Sequence, residues 1–198
     1  MLTAETLVLI AVFAAIASLP AGMLAAHMLV HIATMNALAP LVALAALGVN
    51  RERHRRLYAP LAALLAPATL LQLALFIAMH APFVFNSVIH APEVWPLSTL
   101  ALFAVSTLFW VSVIAAARTG RAGSIAAPLI SGKVFCLLAA LLVFAERAVF
   151  GPLVSIADQQ AAGLVMLIAC PITYVGASLV IVTKWLGAMS RPPSRMPT

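Results

Sequence analysis

Charged residues are scarce in this chain of 198 residues. They make up 8% of the sequence, whereas 65% of the residues are hydrophobic and the mean hydropathy is +1.14. Soluble domains carry roughly 25% charged residues, so this composition excludes an ordinary soluble globular fold. With only 5 acidic residues and no P-loop, dinucleotide-binding glycine motif or serine-histidine-acid arrangement, we expect that the protein is not an enzyme.

Cysteine is also rare. The chain has only Cys136 and Cys170, which lie in different apolar segments and form no CxxC motif. This arrangement indicates neither a redox pair nor a cysteine-based metal site. We predict that both are small, buried, apolar side chains in a helical bundle.

Long apolar runs make up most of the remaining sequence. A helix needs about 20 apolar residues to cross a bilayer, and the runs predict six such helices. Their approximate bounds are 3–19, 21–49, 57–79, 95–117, 124–147 and 158–186. The first run is short, as in a signal peptide, but Glu5 and the lack of a basic flank favour a retained helix. The fold class is therefore all-α, a polytopic membrane protein with a bundle of about six transmembrane helices.

Basic residues predict the topology of this bundle. They cluster around residues 51–56, just after residue 117, and in the C-terminal segment, and such loops stay in the cytoplasm. Both termini are then cytoplasmic, and the net charge of +6 reflects topology and the lipid bilayer, with no nucleic-acid partner. Short connections predict one domain over residues 1–190, followed by a disordered cytoplasmic tail over residues 191–198.

Histidine and methionine recur on one face of the second predicted helix. Four of them are spaced four residues apart, which keeps them on one face: Met23, His27, His31 and Met35. The two histidines are about 6 Å apart along the helix axis, so both imidazoles can approach one ion. A histidine inside a membrane is costly and indicates a function, although neutral histidines that hydrogen-bond across helices are the alternative.

The predicted topology brings other ligand types to the same outer side. His80 and His90 each begin a His-Ala-Pro sequence, which marks a turn or an extended segment, so we expect both in a structured outer loop. Asp158 begins the last helix on that side. The candidate metal ligands are therefore His27, His31, His80, His90 and Asp158. Imidazole and thioether groups suit copper, with methionine favouring Cu(I), and these ligand types leave zinc open as well.

Three segments carry a resemblance to a known family: "AHMLVHI" at 26–32 followed by "APL", "MHAPFVFNSVIHAPE" at 79–93, and "ADQQAAGLVM" at 157–166. They resemble the H-M-x-x-H segment, the W-H-x-P loop and the D-Q-x-x-G-l-x-M helix start of the caa3-type cytochrome c oxidase assembly factors, the CtaG-like membrane proteins of bacteria. This chain differs from that pattern at Met79, where the family often has tryptophan, and at Val94, where a further histidine is expected.

The resemblance implies an assembly factor for heme-copper oxidase in the bacterial cytoplasmic membrane. Such a protein would take copper, as Cu(I), from a periplasmic donor and help to deliver it to the catalytic subunit; a homo-oligomer is left open. Carried over by position, the implied ligands are the five residues named above. Additional ligands or their hydrogen-bonding neighbours would be Met23, Met28, Met35, Met79, Glu93 and Gln159.

Two other functions fit part of the pattern. A b-type heme needs one histidine on each face of the porphyrin. His27 and His31 share one helix and cannot serve the same heme, and the loop histidines are expected outside helical depth, so we expect no heme. The stronger alternative is a permanent structural subunit of a respiratory complex, without metal and with the histidines hydrogen-bonded across helices.

Overall fold

The computed structural model describes residues 24–48, 51–89, 91 and 94–190, and regular structure in these residues is entirely helical. A π-helical turn, Ala33–Leu38, joins the first two helices into one rod. The α-helices are α1 (Leu24–Ile32), α2 (Ala39–Gly48), α3 (Arg51–Ala63), α4 (Leu65–Met79), α5 (Pro82–Ile89), α6 (Val94–Arg118), α7 (Gly123–Phe144) and α8 (Ile156–Met189).

Four helical stretches of the described residues are long and apolar enough to cross a bilayer: Leu24–Leu47, α6, α7 and α8. A fifth candidate combines Arg56–Ala63 with α4 across a bend of 48°. The prediction of an all-helical, multi-pass membrane protein is therefore confirmed, with four to five candidate spans among the described residues, and the count of six stays a prediction. The predicted first span and the C-terminal tail lie outside the described residues.

The bend between α3 and α4 has a local cause. Pro67 has no N–H to donate to the carbonyl of Ala63, and its ring crowds that carbonyl, so the helix cannot continue unchanged. The chain makes a tighter turn at Leu64, whose N–H donates to the carbonyl of Leu61 at 3.1 Å. The sequence predicts one span over residues 57–79, and the structure divides it at this turn.

The π-helical turn also lies just before a proline. Pro40 cannot donate to the carbonyl of Asn36, and the N–H of Ala39 reaches back to the carbonyl of Thr34. The hydroxyl of Thr173 on α8 donates to the carbonyl of Asn36 at 3.5 Å. A wider turn thus accommodates the proline while the rod continues.

Helices α7 and α8 pack as a close antiparallel pair. A Cβ atom on Gly163 would lie 2.8 Å from Val143 Cγ2 and 2.9 Å from the carbonyl oxygen of Ala139. At the other end of the pair, Ser178 donates to the carbonyl of Ile125 at 3.2 Å. Small residues permit such close approach between membrane helices.

The rod Leu24–Leu47 defines two ends of the bundle. At one end Leu24 and Asp158 meet, and we call this the histidine end because His27 and His80 lie nearby. At the opposite end Arg118 donates to the carbonyl of Leu47 at 2.6 Å and to the hydroxyl of Tyr58. These two hydrogen bonds from Arg118 connect α2, α3 and α6.

Candidate functional site

His27 and His31 lie side by side on α1. Their ring centroids are 4.2 Å apart, and the two side chains are only 5% and 3% exposed. Aromatic rings cover the pair: the ring of Trp95 on α6 lies 4.4 Å from that of His27, and the ring of Phe85 on α5 lies 5.2 Å away. The four-residue spacing seen in the sequence therefore produces adjacent imidazoles behind an apolar, aromatic wall.

The Nδ1 atoms of His27 and His31 are buried and have no hydrogen-bond partner among the described residues. A buried polar atom without a partner costs about 1–3 kcal/mol. Histidines retained only as hydrogen-bonding groups between helices would be expected to pair these atoms. The two free nitrogen atoms are instead the kind of donor that a bound ion uses.

His80 completes the cluster from the end of α4. Its Nδ1 bonds to the carbonyl oxygen of Phe76 at 2.7 Å, and since a carbonyl only accepts, Nδ1 carries the proton. In a neutral imidazole only one of the two ring nitrogens carries a proton. Its Nε2 therefore has a free lone pair, and it faces the sulfur of Met28 at 3.2 Å.

The position of His80 corrects the sequence prediction in one respect. His80 is 5% exposed, and its ring centroid lies 5.8 Å from that of His31, so it reaches the depth of the α1 histidines and does not lie outside it. The turn predicted at the first His-Ala-Pro sequence is confirmed at His80 and Ala81, and the helix α5 follows it directly. Pro82 is the first residue of α5, a position where a missing N–H has no cost.

Asp158 lies at the histidine end, where its carboxylate binds backbone. One oxygen accepts from the N–H of Leu24 at 2.7 Å and the other from the N–H of Ala25 at 3.2 Å. Asp158 is itself in the first turn of α8, where its N–H donates to the side chain of Ser155. The carboxylate thus fastens the start of the described part of α1 to the start of α8.

Gln159 holds the connection between α7 and α8. It is fully buried, its amide nitrogen donates to the carbonyls of Leu142 and Arg147, each at 3.3 Å, and its amide oxygen accepts from the N–H of Val149 at 2.7 Å. Its hydrogen bonds therefore go to backbone, and they shape the loop next to the site.

The structure places the remaining candidates as follows. Met28 and Met35 are buried, at 0% and 2% exposed, and Met79 is half-buried. The residues outside the described part of the chain are Met23, His90 and Glu93. Within the described part, no group of three or more histidine, cysteine, aspartate or glutamate side chains is arranged to hold a metal ion.

A cavity of about 10 Å³ lies beside His31 and His80. Besides Met28 and Met35, it is lined by Met166 and Cys170 of α8, two residues that the sequence reasoning did not assign to a site. The signal that could have found them is their own four-residue spacing, which matches that of the two histidines on α1. The prediction that both cysteines are buried is confirmed for Cys170 and wrong for Cys136, which is partly exposed; both thiols are free.

The fold and these buried polar residues define a multi-pass helical membrane protein. A protein-family model described as cytochrome c oxidase caa3 assembly factor matches residues 2–188. The chain therefore belongs to the caa3-type cytochrome c oxidase assembly factor family, as its sequence motifs predict. No curated protein and no solved structure matches the chain.

Proposed function

We propose that this protein binds Cu(I) at the histidine end and helps to deliver it to the catalytic subunit of a heme-copper oxidase. Membership of an oxidase assembly family supports an oxidase as the protein that receives the copper. The clustered imidazoles support a metal ion, Cu(I), as what the protein carries. In this proposal the protein acts in the bacterial cytoplasmic membrane, with the histidine end facing outward to receive copper from a periplasmic donor.

The contact between His80 and Met28 is the observation that carries the proposal. Because Nδ1 of His80 donates to Phe76, its Nε2 has a lone pair, and a thioether sulfur also offers only lone pairs. The two atoms are 3.2 Å apart, so two electron-pair donors face each other with no hydrogen between them. This arrangement lacks a stabilising partner, and a cation held by both atoms would supply it.

The surrounding donor atoms favour Cu(I) over zinc. Imidazole nitrogen and thioether sulfur suit this soft ion, and His27 and His31 each offer an unpartnered Nδ1. Structural zinc sites need four tetrahedral ligands, commonly thiolate, imidazole or carboxylate, whereas the carboxylate of Asp158 is bound to backbone. In this proposal Asp158 positions α1, and Gln159 positions the loop between α7 and α8.

The available space also favours an ion over a porphyrin. The cavity next to His31 and His80 measures about 10 Å³, which accommodates roughly one water-sized particle. A heme ligated from both faces would require these imidazoles to separate around a flat macrocycle. We therefore expect that the protein binds no heme. A Soret band in the absorption spectrum of the purified protein would contradict this expectation.

Copper binding is tested with the full-length protein purified in detergent under anaerobic conditions. Cu(I) affinity is measured by competition with a chromophoric chelator. We expect His31→Ala and His80→Ala to weaken binding at least tenfold, because each removes a nitrogen donor. Ser87→Ala is the matched control, since Ser87 is exposed on α5 and bonds only to the carbonyl of Phe83 within its own helix.

Delivery is tested in cells. A strain without the protein should assemble oxidase with a low copper content, and wild-type protein should restore it while His80→Ala should not. Normal copper in the oxidase of the deletion strain would refute the delivery function. Stable co-purification with an oxidase at fixed stoichiometry, without metal, would favour a permanent structural subunit instead.

A further inference from the structure

Four sulfur-containing side chains line the cavity beside His31 and His80. Met28 comes from α1, Met35 from the π-helical turn, and Met166 and Cys170 from α8. These side chains are 0%, 2%, 1% and 3% exposed, respectively. Met28 precedes His31 along the rod and Met35 follows it by one turn, so the sulfur-containing side chains lie on both sides of His31.

Hydrogen bonds to neighbouring helices hold the π-helical turn beside this cavity. Trp110 Nε1 donates to the carbonyl of Met35 at 3.0 Å, and Thr173 donates to the carbonyl of Asn36. The amide of Asn36 donates to the sulfur of Cys170 at 3.7 Å. Single π-helical turns occur frequently at functional sites because they change the direction of side chains within a helix.

His31 gives an independent sign of a ligand. Its side chain lines the same cavity, it is more than nine-tenths buried, and its Nδ1 has no hydrogen-bond partner in the part of the chain that the structure describes. Apolar packing alone explains methionines, which commonly fill irregular gaps in a core. It does not explain an unsatisfied imidazole nitrogen beside three thioethers and a thiol.

We propose that this cavity is a sulfur-donor site for Cu(I), held by the thioethers of Met28, Met35 and Met166 and by Cys170. Thioether and thiolate sulfur are the donors that select this ion, and a cavity of about 10 Å³ suits a single dehydrated ion. The site rests on the proposed function in one respect, that Cu(I) is the cargo, and it adds sulfur donors to the imidazoles of His31 and His80, which line the same cavity.

Binding through Cys170 is balanced in charge. Cu(I) takes the place of the thiol proton on the sulfur, and that proton is released to the aqueous phase outside the membrane. One positive charge is exchanged for another, so the net charge of the cavity does not change. Burying an uncompensated charge within a membrane bundle is expensive, and this exchange avoids it.

X-ray absorption spectroscopy of the Cu(I)-loaded, full-length protein tests the site. We expect sulfur in the coordination shell of copper in the wild type. Met166→Leu combined with Cys170→Ala removes two of the four proposed sulfur donors, so it should remove about half of this sulfur scattering and keep the nitrogen scattering of the histidines. Met189→Leu is the matched control on the same helix, because Met189 is 60% exposed and its loss should leave the spectrum unchanged.

A fold check accompanies each variant. Leucine replaces methionine with little change in volume, and thermal unfolding and size-exclusion chromatography report whether the bundle is intact. Should the double variant fail to fold, Met35→Leu alone gives the same measurement from another helix, with a smaller expected loss of sulfur scattering.

The two proposals fail in different ways. A wild-type spectrum with nitrogen and oxygen scattering only would overturn the sulfur site, even where the oxidase still depends on the protein for copper. Sulfur-coordinated Cu(I) in the purified protein, with normal oxidase copper in the deletion strain, would support the site and refute the delivery function. A wild-type protein that binds no Cu(I) would overturn both.

Discussion

Asp158 shows how one side chain can position a candidate site through the backbone. Its two carboxylate oxygens accept from consecutive backbone N–H groups, those of Leu24 and Ala25. These groups belong to the first turn of the described part of α1, and hydrogen bonds from N–H groups to a charged carboxylate are stronger than those to a neutral acceptor. The carboxylate therefore sets the depth of His27, one turn further along α1.

Asp158→Ala is expected to destabilise the protein by about 1–3 kcal/mol, because buried N–H groups lose their acceptor. Asp158→Asn keeps one acceptor oxygen and should cost less. We further expect Asp158→Asn to change Cu(I) affinity less than threefold, since this carboxylate positions α1. Denaturant unfolding and the chelator competition measure the two effects.

Glu146→Ala is the matched control, because Glu146 is an exposed acidic residue that follows α7. Equal stability of Asp158→Ala and Glu146→Ala would contradict the positioning role. A tenfold or greater loss of affinity in Asp158→Asn, with unchanged stability, would instead make Asp158 a ligand, as the family resemblance implies.

At the scale of helices, prolines show what sequence can predict and what it cannot. Pro40 and Pro67 both occur in apolar runs, and each leaves a carbonyl four residues earlier without its usual donor. One helix responds with a π-helical turn and continues, whereas the other bends by 48°. The hydroxyl of Thr173 on α8, which reaches the carbonyl of Asn36, distinguishes the two cases, and such a contact depends on tertiary packing.

Gly163 permits the close packing of α7 against α8. An alanine Cβ at this position would lie 2.9 Å from a backbone oxygen of Ala139, so the helices would have to separate. We expect Gly163→Ala to lower the free energy of unfolding by about 1–3 kcal/mol, as overpacking does. Gly176→Ala on the same helix is the control, since its Cβ meets nothing within 4 Å. Unfolding in detergent compares the two, and equal stabilities would contradict the close packing.

At the scale of the whole molecule, the sequence predicts the helices and part of the candidate site. The spacing of His27 and His31 predicts their common face, and long apolar runs predict the spans. The depth of His80 depends on how α4 ends against Met28, which no local pattern specifies. Met166 and Cys170 join the site only because α8 packs beside α1, and a pattern within one helix cannot show which helix lies next to it.

The orientation of the bundle in the membrane follows from charge, and it can be measured. Positively charged loops stay in the cytoplasm, so the exposed Ala122, beside Arg121, should face inward. Leu153, in the connection before α8 and 66% exposed, should face outward with the histidine end. In a cysteine-free background, a membrane-impermeant maleimide should label Leu153→Cys in intact cells and Ala122→Cys only after permeabilisation. The reverse pattern would turn the histidine end toward the cytoplasm, and copper could then not enter it directly from a periplasmic donor.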